Sequence, residues 1–299
     1  MLLLAHAKKN GIFYAFVLPM FVLVVVFGIV PIVGSIAMAF TQSSTSLTDS
    51  PVFVGLANFV TIFQDSYFLD SFRITFLFTV ISVPLNLIVA LFLALLLGSA
   101  LMGRGGVVFK LLVFLPVVVP IMATSVVWKW MYNTNYGAVN GVLGSLGLPA
   151  FAGLSSQETV LTSLVLVELW KHVGLYTIIF LTNLQMIDRE MYEAAHLDGA
   201  GWWRRLYRIT LPELVPAISL NAVYAVIQFL KTFVVALVMT QGGPNYQSNF
   251  VSYYAYSKFK IGDYGEAAAM GTVLFAAVIV VTLVTRHFSS TDRQNEGAS

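Results

Sequence analysis

The chain predicts an all-α integral membrane protein with six transmembrane helices. Of its 299 residues, 58% are hydrophobic and only 10% are charged, where a soluble domain carries roughly a quarter. The mean hydropathy is +0.84. The apolar residues gather into six long runs, each near the ~20 residues a helix needs to cross a bilayer. In lipid the backbone must satisfy its own hydrogen bonds, so runs of this length are helices and not strands.

The spans fall near 12–40, 74–101, 107–131, 159–186, 213–240 and 266–287. The first follows Lys8 and Lys9 and ends near Ala37-Met38-Ala39, which resembles a signal-peptide cleavage site. Its apolar stretch from Ile12 to Gly34 exceeds the roughly 7–15 residues of a signal-peptide core, so it reads as a retained span. Pro19, Pro31, Pro84, Pro116 and Pro120 lie inside spans and are expected to kink the helices rather than end them.

Orientation follows from the basic residues. One side of a six-span chain holds Lys8, Lys9, Arg104, Lys110, Arg189, Arg204, Arg205, Arg208, Arg286 and Arg293. The other holds Arg73, Lys258 and Lys260. That places both termini and the 187–212 loop in the cytoplasm. The 41–73 loop, with Asp49, Asp65 and Asp70, then faces outward.

Several function classes drop out. The formal charge of +2 is too small to suggest nucleic acid. With no cysteine there is no disulfide framework, iron–sulfur cluster or thiol catalysis. A phosphate-cradling G-x-x-x-x-G-K-[ST] loop needs a Gly-Lys pair, and the chain has none. His6, His172, His196 and His287 make no H-E-x-x-H, and Leu143-Gly144-Ser145-Leu146-Gly147 lacks the first glycine of G-x-S-x-G. The chain is expected to be non-catalytic, with no metal and no cofactor of its own.

Residues 193–216, EAAHLDGAGWWRRLYRITLPELVP, form a polar, charge-dense stretch between two apolar runs. Asp188 suits a helix N-cap, with a short helix over Arg189 to Leu197 broken at Asp198-Gly199. A second short helix from about Gly201 to Arg208 leads to Pro212, which suits the first turn of the fifth span. Ala194 and Ala195 leave room for another surface to approach, and Glu193 offers an anion to a basic partner. Trp202, Trp203 and Tyr207 supply apolar bulk, and Arg204, Arg205 and Arg208 can reach lipid phosphate. Taken alone, such a loop also fits an ordinary interfacial segment.

The spacing goes further. Glu193-Ala194-Ala195, three residues, Gly199, nine residues, then Ile209, one residue, Leu211 and Pro212 resembles the EAA loop of ABC-importer permeases. Further blocks resemble the carbohydrate-type members of that family. They are Phe53 to Phe59 (FVGLANF), Trp128 to Asn140 (WKWMYNTNYGAVN), Leu169 to Ile187 (LWKHVGLYTIIFLTNLQMI) and Thr240 to Pro244 (TQGGP). Tyr254-Ala255-Tyr256 and Tyr264 to Ala269 (YGEAAA) complete the set. The first external loop looks similar to that of glycerol-3-phosphate permeases.

The resemblance implies a type I ABC importer permease fold as one domain over 1–299, with a core of about 70–287 and a coupling loop at 188–212. It implies residence in a bacterial or archaeal cytoplasmic membrane. It implies a second homologous permease, a P-loop ATPase dimer using ATP and Mg, and an extracytoplasmic solute-binding protein as partners. Glu193, Ala194, Ala195, Asp198 and Gly199 then become the ATPase-coupling residues, seated in a cleft of the motor.

Polar residues inside spans are the pathway candidates, because they are costly in lipid. Glu168, Lys171 and His172 share one face of the fourth span, as pathway residues or as an internally neutralised Glu–Lys pair. Lys129, between Trp128 and Trp130, reads as a snorkelling anchor. Asn183 reads as helix–helix glue. Asn221, Tyr224, Gln228 and Lys231 fall at i, i+3, i+7 and i+10 of the fifth span. That stripe suits a sugar or polyol, or a face buried against the second permease.

With Lys171 beside Glu168, Lys231 is the uncommitted cation, which favours a neutral glycoside over glycerol-3-phosphate. A reading from another class, an ion-coupled secondary transporter, would want paired halves and coupling-ion ligands. No internal repeat is visible, and Glu168 is essentially the lone intramembrane acid.

Overall fold

The computed structural model describes residues 11–42, 52–98 and 106–296, with side chains placed over 16–42, 52–98 and 106–285. Lys8, Lys9, Asp49 and Arg104 lie outside the described residues, as do the side chains of Arg286 and Arg293. Among the described residues the regular structure is helical apart from a two-residue antiparallel pairing of β1 (Thr41–Gln42) with β2 (Val52–Phe53). The chain divides into two compact units, one of residues up to Asp65 with Ala255–Val273, the other of Ser66–Tyr254 with the residues from Leu274.

In the first unit, α1 (Gly11–Val24), a π turn (Val25–Ile29) and α2 (Val30–Met38) run as one rod. Pro31 explains the π turn. It has no N–H for the carbonyl of Phe27, and widening the preceding turn shifts the bonding to i−5, as Val30 N–H to Val25 O shows. Between Phe16 and Met38 the apolar window is not buried at all. The rod ends at Ala39, where Asn58 of α3 (Ala57–Gln64) donates to the carbonyls of Ala39 (2.9 Å) and Thr41 (2.8 Å). That closure of a helix end gives the Asn of the FVGLANF block its physical purpose.

The second unit is built round α8 (Val160–Leu184), more than half buried. It packs against α4 (Ser66–Gly98), α5 (Gly106–Val118) and α12 (Val215–Leu230). The shared core includes Phe78, Ala90, Ala94, Leu164, Val167, Tyr176, Phe180 and Phe229. At 33 residues α4 is about 50 Å long, longer than the ~30 Å hydrocarbon layer. Its buried face is polar at one end, with Ser71, Thr75, Thr79, Ser82 and Asn86 at helical spacing, and small at the other. Ser71, Thr75 and Thr79 each donate to the carbonyl four residues back, at 2.7–2.8 Å.

Among the described residues four helices are long and apolar enough to cross a membrane, and six spans result only if each of two bent pairs counts as one. The third span corrects the expectation of a kink. Pro116 stays within α5, but at Val119-Pro120 the helix stops, and α6 (Ile121–Met131) restarts at 104° to it. The fifth span is also discontinuous. Its helix α12 begins at Val215, bent 64° from the segment ending at Glu213, and ends at Leu230. A π turn (Ala236–Thr240) follows after a break at 231–233. Remaining helices are α7 (Ala138–Ser145), α9 (Arg189–Leu197), α10 (Trp202–Arg205), α11 (Leu211–Glu213), α13 (Val251–Lys260) and α14 (Tyr264–Glu296).

Gly174 of α8 lets α5 approach. A Cβ there would land on the carbonyl of Val113 and 2.9 Å from Val117 Cγ2. Gly174→Ala should therefore lower the thermal unfolding midpoint, by overpacking worth about 1–3 kcal/mol. Gly271→Ala, where a Cβ meets nothing within 4 Å, should not. Equal midpoints for both variants in detergent would remove this contact from the account of the fold.

Candidate coupling loop and translocation face

The loop begins as the sequence suggests. Asp188 accepts a hydrogen bond from Glu190 N–H at 3.0 Å, which caps α9. The helix ends at Leu197, and Gly199 turns the chain at φ +72°. Glu193, Ala194, Asp198 and Gly199 are exposed and Ala195 is half-buried, so the five lie together on one accessible turn and its helix. The return helix differs from the expected 201–208. It runs as α10, continues through a π turn (Leu206–Thr210) and reaches Pro212 in α11. The π turn again stands just before a proline. Pro212 opens α11 and not the fifth span, which starts beyond the bend at Leu214.

Tyr192 Oη lies 2.9 Å from Thr210 Oγ1, which ties α9 to the returning segment. No spacing rule flags that pair, because the residues are 18 apart on separate helices. Trp202, Trp203 and Tyr207 form an exposed aromatic ladder, with neighbouring ring centroids 4.5 and 6.1 Å apart.

The polar face of α8 is arranged differently from its expected Glu–Lys pair. Lys171 Nζ donates to the carbonyls of Pro116 (2.8 Å), Val117 (3.0 Å) and Val119 (2.6 Å) at the break of the third span. Glu168 Oε2 instead stands 2.8 Å from His172 Nδ1, a close contact off the axis of a good hydrogen bond, since that nitrogen also faces the Glu168 carbonyl at 3.2 Å. Lys171 is buried with every donor used. It leaves the pathway set and becomes a cap for open carbonyls. Asn183 donates to Ile179 O of its own helix at 2.8 Å.

The stripe on the fifth span separates. Asn221 is fully buried and donates to Tyr176 O at 3.2 Å, joining α12 to α8. Tyr224 is exposed and its ring meets Tyr176 edge-on at 6.1 Å. Gln228 is half-buried, and Lys231, exposed, caps α12 at the break. Tyr224, Gln228 and Lys231 thus stay accessible to differing degrees, whereas Asn221, at the start of the same stripe, is packed against α8. Lys129 is more than an anchor: its Nζ donates to Val238 O, inside the 236–240 π turn, at 3.1 Å.

Sequence reasoning missed the hydroxyl stripe of α4, although its spacing was visible. Ser71 Oγ accepts from Asn249 Nδ2 (2.8 Å) and Thr75 Oγ1 from Val251 N–H (3.0 Å), so α4 holds the segment after TQGGP. Ser248 Oγ completes that loop, lying 2.7 Å from Thr240 Oγ1 and 2.6 Å from Gly243 O, with its one hydroxyl proton shared between them.

The family model of the binding-protein-dependent transport system inner membrane component matches residues 90–290. The chain belongs to this family. The permease is 33% identical over 271 residues to the trehalose/maltose transport system permease protein MalF of Thermococcus litoralis, covering 91% of each chain. It is also 33% identical over 280 residues to the sn-glycerol-3-phosphate transport system permease protein UgpA of Yersinia enterocolitica, covering 92% of each. Its fold superposes with TM-score 0.85 on a chain of a bacterial alginate ABC transporter solved with an alginate pentasaccharide-bound periplasmic protein. The identity there is 25%, over 95% of the permease and 96% of that chain. The permease is an all-α ABC-importer subunit of the type I fold.

Gly199 has open space around its Cβ position, so its backbone angle and not crowding sets its tolerance. In the permease, Gly199→Asn should leave tryptic cleavage at Arg204 near the parental rate, because Asn tolerates the left-handed region. Gly199→Val should speed cleavage, since a side chain there costs about 1–2 kcal/mol. Identical cleavage rates for the two would show that the turn does not depend on φ.

Proposed function

We propose that the permease imports a neutral sugar or oligosaccharide handed over by an extracytoplasmic solute-binding protein. It works beside a second, homologous permease and takes its power from two copies of a P-loop ATPase that bind ATP and Mg. Both termini and the 188–212 loop face the cytoplasm. The observation that carries the reading is the capped α9 turn. It is a short amphipathic helix that leaves Glu193, Ala194 and Gly199 accessible at a tied-down loop. A helix so held passes a push on to its span, because Tyr192 is bound to Thr210, the residue just before α11, and α12 follows.

A cysteine in this naturally cysteine-free chain reads both orientation and coupling. Ala194→Cys should react with a membrane-impermeant maleimide in inside-out vesicles and not in sealed cells, and added ATPase should block the reaction. Labelling in sealed cells refutes the orientation; labelling undiminished by bound ATPase refutes the coupling role.

The substrate class rests on Tyr224, Gln228 and Lys231. An aromatic face beside an amide and one amine suits a carbohydrate, bound by stacking and hydrogen bonds. With Lys171 occupied by backbone carbonyls, one accessible cation remains on this stripe, thin for a phosphate ester of nearly two charges. Lys231→Gln in the assembled transporter should keep at least half of sugar uptake. A loss of about tenfold or more, roughly 1.4 kcal/mol of lost interaction, together with tight binding of glycerol-3-phosphate by the binding protein, would assign the organophosphate instead.

A further inference from the structure

The Lys171 ammonium meets three acceptors and has three N–H groups to give. Two of the acceptors, at Pro116 and Val117, are among the last carbonyls of α5, the negative end of its dipole, and the third, at Val119, lies just beyond it at the break. One of them is orphaned by covalent structure, because the donor that would serve Pro116 O four residues on is Pro120, which has no N–H. The others are freed where the chain turns by 104° into α6. Backbone carbonyls converging at the end of a broken intramembrane helix are the donor set that monovalent cations take in place of their water.

Neither simpler reading of Lys171 survives the geometry. An ordinary ion pair would engage Glu168, whose carboxylate lies against His172. A substrate contact would need a free N–H, and none is left. Gly174, one turn along α8, holds α5 close enough for the lysine to reach.

We propose that the carbonyls of Pro116, Val117 and Val119 form a monovalent-cation site that the chain fills with its own Lys171 ammonium. Lys171 is thereby the positioning residue for the bend between α5 and α6. The consequence reaches beyond the bend. Helix α6 carries Trp128, whose ring meets Trp170 of α8 edge-on at 5.7 Å, and Lys129, which binds Val238 O after the second break. The charge at 171 therefore sets where the outer half of the third span meets the outer part of the fifth.

The test uses the full chain in nanodiscs, with spin labels on cysteines replacing exposed Leu112 of α5 and Val127 of α6. The parent should give one narrow distance distribution. Lys171→Ala should broaden it and lower the unfolding midpoint by several degrees. Ammonium or methylammonium chloride at tens of millimolar should restore both, while tetramethylammonium chloride at equal ionic strength should not. Lys171→Met, which fills the space without donors, should stay broad in either salt. The proposal is overturned if Lys171→Ala keeps the parental distribution, if tetramethylammonium restores as well as ammonium, or if ammonium restores nothing. Should Lys171→Ala fail to accumulate, Lys171→Arg decides. It keeps charge and donors and should accumulate to at least half the parental level with a narrow distribution; loss equal to that of Lys171→Met would sink the idea.

Discussion

Open backbone carbonyls in a bilayer must find donors, and the second unit is organised around that need. Water cannot serve them in the hydrocarbon layer, and each one left bare costs several kcal/mol. The third span nevertheless stops at Val119-Pro120. Lys171 makes the break possible by presenting a saturated ammonium to three of the freed oxygens. The same solution recurs at the fifth span, where Lys129 reaches Val238 O within the π turn. Two lysines that look like pathway or anchor charges are, in the folded chain, hydrogen-bond donors to irregular backbone.

Proline stands at three of the irregularities. Each of the π turns at Val25–Ile29 and Leu206–Thr210 is followed within two residues by a proline, Pro31 and Pro212. Widening the helix re-pairs donors and lets it continue. Pro120 is different because its backbone is extended (φ −56°, ψ 136°) just before α6 begins, and a side chain from another helix is at hand to take the carbonyls. Local sequence offers both outcomes; the neighbour selects between them.

The loop and the accessible face of α12 are joined by a short path. Tyr192 and Thr210 bind α9 to the π turn that leads into α11 and then α12. Asn221 fixes α12 on α8 one turn below Tyr224. The α9 turn is thus tied, with no long linker between, to the helix that bears Tyr224, Gln228 and Lys231.

What was legible in the sequence was whatever depends on local pattern. Helical class, the approximate spans, the Asp188 cap, the α9 helix and the Gly199 turn all follow from hydropathy, capping chemistry and glycine's freedom at positive φ. The EAA spacing and its companion blocks carried the family. The hydroxyls of α4 were equally visible as a helical repeat, but their partners at Asn249 and Val251 lie more than 170 residues away. Tertiary structure alone decided that Lys171 serves carbonyls and not Glu168, that Asn221 is packed and Tyr224 open, and that the third span is two helices. The physical reason is common to all three. A side chain's role in lipid is set by which unsatisfied group a neighbouring helix brings within about 3 Å, and spacing along one helix carries no information about that neighbour.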